Sequence, residues 1–108
     1  MNQARATIDA GVCGFTTEVT AVSEDEQHVS FTVASPCDKV QALAESLPTV
    51  DAYTDVSLGS EGMVLAGARA HLLGCCAGCV VPSAVFKAMQ VAAGLALPRP
   101  AHIDLVRL

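Results

Sequence analysis

The chain has no tryptophan, one tyrosine and three phenylalanines in 108 residues. A core with so few rings must be built from aliphatic side chains and alanine. Such side chains pack closely, but each contributes little area at about 25 cal/mol per Å². Basic residues are also scarce: six Lys and Arg against eleven Asp and Glu leave a net charge of −5. There is no Lys/Arg cluster and no interleaving of basic with aromatic residues, which argues against nucleic acid and anionic membrane surfaces as partners. Met1-Asn2-Gln3-Ala4-Arg5 lacks the apolar stretch of a secretory signal, so the expected location is the cytoplasm. Leu72 to Leu97 is the most apolar run, yet it contains Pro82 and Lys87. A membrane span needs ~20 predominantly apolar residues and tolerates a central lysine poorly, so no span is expected. The glycine pairs Gly11/Gly14 and Gly62/Gly67 lack the lysine and hydroxyl residue of a phosphate loop, and no serine nucleophile elbow occurs.

What the chain does have is hydrophobic content, at 52% against 16% charged, enough for one buried core. No repeat or linker divides it, so residues 1–108 are expected to form a single α+β domain. Apolar and polar residues alternate over Ala6–Ala10, Phe15–Ala21 and Val29–Val33. Period-two patterning with one polar side predicts a half-buried antiparallel sheet. Gly11-Val12-Cys13-Gly14 and Glu24-Asp25-Glu26-Gln27 are the predicted turns, the second acidic and solvent-facing. Ser35, Pro36 and Asp38 resemble a helix start with a capping box, and Val40, Leu43, Ala44 and Leu47 follow at helical spacing. A short strand is expected over Ala52–Val56, and moderate helical character over Met63–Leu73. The strongest helix is expected from Pro82 to Ala96, and a last strand over His102–Leu108. The predicted architecture is a mainly antiparallel sheet of four or five strands with two or three helices on one face.

Five cysteines, three of them within Cys75-Cys76-Ala77-Gly78-Cys79, carry the chemical signal. Without a secretory segment, clustered thiols point to metal binding or redox chemistry before structural disulfides. Cys37 lies at the start of the first predicted helix, where unpaired N–H groups favour an anion. Cys79 precedes the main helix, and Cys13 tips a hairpin. Cys76 and Cys79 form a Cys-x-x-Cys pair whose spacer lets both sulfurs reach one ion. With Cys13 and Cys37 they make four candidate thiolates, a set that suits zinc or an iron–sulfur cluster. Cys75 and His71 are the substitute ligands. His28 and His102 fall in strand patterns and are given structural roles.

Ile8-Asp9-Ala10-Gly11-Val12-Cys13-Gly14-Phe15, Ser35-Pro36-Cys37, Cys79-Val80-Val81-Pro82-Ser83, Lys87 and Val91-Ala92-Ala93-Gly94-Leu95-Ala96-Leu97-Pro98 together resemble a family of small uncharacterised cysteine-containing proteins, mainly from anaerobic bacteria and archaea. That resemblance spans nearly the whole chain and supplies no substrate. It implies that Cys13, Cys37 and Cys79 matter most, and an anaerobic setting favours iron–sulfur over zinc.

Three functions are therefore expected in order. The first is a metal-binding protein using Cys13, Cys37, Cys76 and Cys79. The second is a thiol–disulfide or persulfide-handling protein using Cys76 and Cys79. The third is an interaction module with merely buried cysteines. A redox or metal-transfer protein partner fits the first two, and a homodimer is compatible with all three.

Overall fold

The computed structural model describes residues 2–108. Three strands follow one another as antiparallel hairpins: β1 (Asn2–Asp9), β2 (Thr16–Ser23) and β3 (His28–Ala34). A two-residue β4 (Val50–Asp51) completes a four-stranded sheet in the order β1-β2-β3-β4. Four α-helices complete the domain: α1 (Asp38–Ser46), α2 (Ala52–Leu58), α3 (Met63–His71) and α4 (Val81–Ala92). The α+β class and antiparallel sheet are those the alternation predicts.

The register explains why one face is covered. Ala4, Ala6 and Ile8 of β1 stand opposite Ala21, Val19 and Thr17 of β2. Thr17, Val19, Ala21 and Ser23 are all buried, while Thr16, Glu18, Thr20 and Val22 point the other way and stay accessible. Helix α4 lies across the β1–β2 side of the buried face, and α1 packs near β3. Helix α3 sits against both α1 and α4. One continuous core results, holding Val19, Val29, Leu43, Val64, Val85 and Met89 among others. Each fully buried side chain of this size contributes roughly 1.5–3 kcal/mol.

Two expected strands are not strands. Ala52–Val56 lies within α2, because the Asp51 side chain accepts the Thr54 N–H at 3.1 Å and starts a helix there. Ala52 and Asp55, three apart, then share its buried side. Residues 102–108 have no strand partner and are exposed. The first helix also starts later than expected. Cys37 is its N-cap, without a side-chain cap, and the Ser35 hydroxyl turns aside to the Cys37 N–H at 3.2 Å and to Thr17 Oγ1 at 2.7 Å.

Helix α4 ends four residues before Ala96. Gly94, at φ +73°, takes the left-handed position after the C-cap. Leu95 N–H reaches Gln90 O at 2.7 Å and Gly94 N–H reaches Val91 O at 3.1 Å, the paired bonds of a Schellman stop. Gly74–Ala92 has the length and mean hydropathy, 1.4, of a membrane span. Extended backbone at Cys79 interrupts it, and the α4 part turns Val81, Val85, Ala88, Met89 and Ala92 to the core.

Candidate functional site: a dithiol turn beside Lys39

The strands and helices bring the cysteine-bearing segments to one end of the molecule. The β1–β2 turn and the end of β3 share that end, since Asp9 pairs with Thr16 and Ala34 with Glu18. The Ser35–Thr17 hydroxyl bond ties the start of α1 to the same place. At the opposite end, the Glu26 carboxylate lies where a Gly94 side chain would project, so α4 finishes over the Glu24–Gln27 turn and starts at the cysteine end.

Cys13 is exposed at the hairpin tip. Gly11 (φ +85°) and Gly14 (φ +73°) supply the left-handed backbone of this turn, and the Asp9 side chain accepts the Gly11 N–H at 2.9 Å. Cys37 is half-buried at the N-cap of α1 and packs against the core. Cys75 is exposed, whereas Cys76 and Cys79 are half-buried against the core.

Gly74–Gly78 forms a 3-10 turn, with Cys79 as its C-cap. Cys79 N–H donates to Cys76 O at 3.0 Å. That bond closes the turn between Cys76 and Cys79. Closure by this bond holds their Cα atoms within about 7 Å, the range a disulfide can bridge. Lys39, in the first turn of α1, donates through Nζ to Leu73 O and to Cys76 Sγ, each at 3.5 Å. Cys79 opens onto a cleft of about 480 Å³ between α3 and α4, walled by Leu65, Leu72 and Pro82 with Arg69 and Ser83 at its polar side.

The four-thiolate centre expected from the spacing is not assembled. Among the described residues, no three His, Cys, Asp or Glu side chains are grouped so that they could hold one metal ion. Cys13, Cys37, Cys76 and Cys79, with the substitutes Cys75 and His71, therefore share an end of the fold without forming a ligand set. The His71 ring is engaged by its own helix, with Nδ1 2.9 Å from Gly67 O.

Two features escaped the sequence. Lys39 follows Cys37 by two positions, and no spacing rule connects it to Cys76, 37 residues further on. The second is at the opposite end. His28 Nδ1 lies 2.7 Å from Asp25 Oδ2, and its Nε2 lies 4.0 Å from Asp51 Oδ2. The His28 hydrogen bond and the backbone N–H groups of His28 and Gln27 hold Asp25 well below the usual carboxylate range. The same bond to Asp25 raises His28 above its ordinary 6.5. Asp51 is lowered, chiefly by the Gln27 side chain, which donates to it at 2.8 Å. The Asp25–His28 spacing of three within an acidic turn was the available signal.

The fold and these thiols define a small α+β protein with a paired-cysteine turn at one end of its sheet. The chain belongs to a family of unknown function, DUF6951, whose model matches residues 4–105. No curated protein and no solved structure matches it.

Proposed function

We propose that the protein handles electrons through Cys76 and Cys79, by thiol–disulfide exchange with a partner disulfide. The observation that carries this is the turn closed by Cys79 N–H to Cys76 O, with Lys39 Nζ 3.5 Å from Cys76 Sγ. Cys79 lines the cleft and takes the role of the attacking thiol. Its thiolate, having given a proton to solvent, attacks one partner sulfur. The partner S–S bond breaks, a mixed disulfide forms, and the departing partner thiolate is protonated. Cys76 then attacks the Cys79 sulfur of the mixed disulfide. Cys76–Cys79 becomes the disulfide, and the partner leaves as a dithiol carrying two electrons from this chain. Lys39 Nζ, which donates to Cys76 Sγ at 3.5 Å, positions that sulfur for the second attack.

A metal centre would need further ligands drawn in from Cys13 and Cys37, so it is the less supported reading. The test uses reduced protein, oxidised glutathione and peptide mass analysis. The expected product is an intramolecular Cys76–Cys79 bond, absent in Cys79→Ser, with slower closure in Lys39→Met. Persistence of both thiols as free or singly glutathionylated groups would overturn the reading. Near-stoichiometric zinc or iron in anaerobically purified protein would also overturn it, in favour of a thiolate centre.

A further inference from the structure

Residues 98–108 are exposed and belong to no helix or strand. Beyond the Schellman stop of α4 the Arg99 N–H donates to Leu97 O at 2.9 Å, a tight turn about Pro98. Yet this segment is apolar: Ile103 is 69% exposed, Leu105 90%, Val106 81% and Leu108 113%. Four large aliphatic side chains in seven residues, with β-branched Ile103 and Val106 among them, suit a strand rather than a solvated tail.

The same molecule carries the complementary feature. Among the described residues, β1 is an edge strand of eight residues whose strand neighbour is β2. An edge of that length is a template for one more strand. On its helix-covered side Ala4 and Ala6 are only half-buried, unlike Ile8 next to the hairpin. Their small side chains leave apolar surface beside α4 that larger neighbours could cover. Residues 102–108 match the length of β1, and the alternation sends Ile103 and Leu105 to one face. The family model runs from residue 4 to residue 105, so the β1 edge and Ile103–Leu105 both lie inside the shared domain.

We propose that residues 102–108 add as a strand to the β1 edge of a second copy of this chain, with the second copy returning its own segment. The result is a two-fold exchanged dimer, in which each sheet gains a fifth strand and Ile103 and Leu105 cover Ala4 and Ala6. Pro98 and Pro100 restrict the linker, and residues 101–108 lie exposed and outside their own sheet. The proposal is independent of the thiols.

The test compares the full chain with the full-length double variant Ile103→Lys/Leu105→Lys under reducing conditions, by sedimentation equilibrium and amide hydrogen exchange. Both side chains are exposed in the isolated chain, so the variant keeps its fold, which circular dichroism checks. The expected result is twice the chain mass for the natural sequence and the single mass for the variant, with the β1 amides losing protection in the variant. A monomeric natural chain, a variant that stays dimeric, or unchanged β1 exchange despite loss of the dimer would each overturn it. The last result would mean that the segment docks elsewhere, and a monomer with protected β1 amides would mean that it folds onto its own sheet.

Discussion

At the scale of single residues, the least replaceable polar group is Asp55. It is buried in α2, yet its carboxylate serves another helix. Oδ1 accepts the Met63 N–H at 2.6 Å and Oδ2 the Val64 N–H at 3.3 Å, so two of the unpaired donors at the start of α3 are satisfied from a distance. Gly62 makes room for this. A Cβ there would stand 2.7 Å from Asp55 Oδ1 and 2.9 Å from Cγ, although its backbone, at φ −74°, suits any residue. Asp55→Ala is expected to cost about 1–3 kcal/mol in urea unfolding, because the Val64 N–H is left buried without an acceptor. Gly62→Ala should destabilise by displacing the same carboxylate. A loss below about 0.5 kcal/mol for Asp55→Ala, the level of an ordinary surface change, would show that α3 does not need the cap.

His28 and Asp25 make a second prediction at this scale, and its sign follows from the two directions. His28 is raised above 6.5 by its bond to Asp25, so its contribution is complete below pH 6.5 and is lost as pH rises through the raised value. Asp25 is lowered from 3.8, so its contribution is complete above pH 3.8 and is lost as pH falls through the lowered value. The pair therefore stabilises most between 3.8 and 6.5. His28→Gln should lower the melting temperature within that window, and the gap to the natural chain should close as pH rises beyond it. A gap that stays constant from pH 5 to pH 9 would assign His28 a packing role instead. Both groups are half-exposed, so salt should shrink the gap as well.

At the scale of elements, what the sequence made legible was whatever has a period. β1, β2 and β3 follow from alternation, α1 and α4 from spacing at three and four, and the antiparallel order of the first three strands from short turns, whereas the two-residue β4, reached across α1, was not legible. The misses came from elements whose cause lies outside them. α2 looked like a strand because Tyr53 and Val56 have β propensity, but the Asp51 side chain overrode this by capping Thr54 N–H. Ser35 was the natural N-cap by residue type, but its hydroxyl has a partner on β2, and only tertiary structure supplies that. The cysteine site was half legible. Convergence of Cys13, Cys37 and the Cys75–Cys79 stretch on one end follows from their places at element ends. The backbone bond that joins Cys76 to Cys79 depends on the 3-10 turn, and Gly74 (φ +65°) is the residue that permits its entry. Lys39 was illegible, because a contact across 37 residues leaves no pattern in the chain.

At the scale of the whole molecule, the core and the exposed segment are separate. Among the described residues, every buried apolar residue lies between Ile8 and Ala93, and residues 94–108 add none. Cooperative unfolding is governed by that cluster, so a chain ending at Leu97 should melt in one transition with the same ellipticity change as the full chain. The two should differ in how melting depends on concentration. A dimer that dissociates on unfolding gains stability by mass action, and a monomer does not. If residues 102–108 of each copy complete the other's sheet, the melting temperature of the full chain must climb with protein concentration while that of the shortened chain stays level. Scans over a hundredfold concentration range under reducing conditions would show this. Equal, concentration-independent melting of both chains would leave Ile103, Leu105, Val106 and Leu108 without a role in assembly. A lower, broadened transition for the shortened chain even at the greatest dilution would mean instead that the segment supports the fold of its own copy.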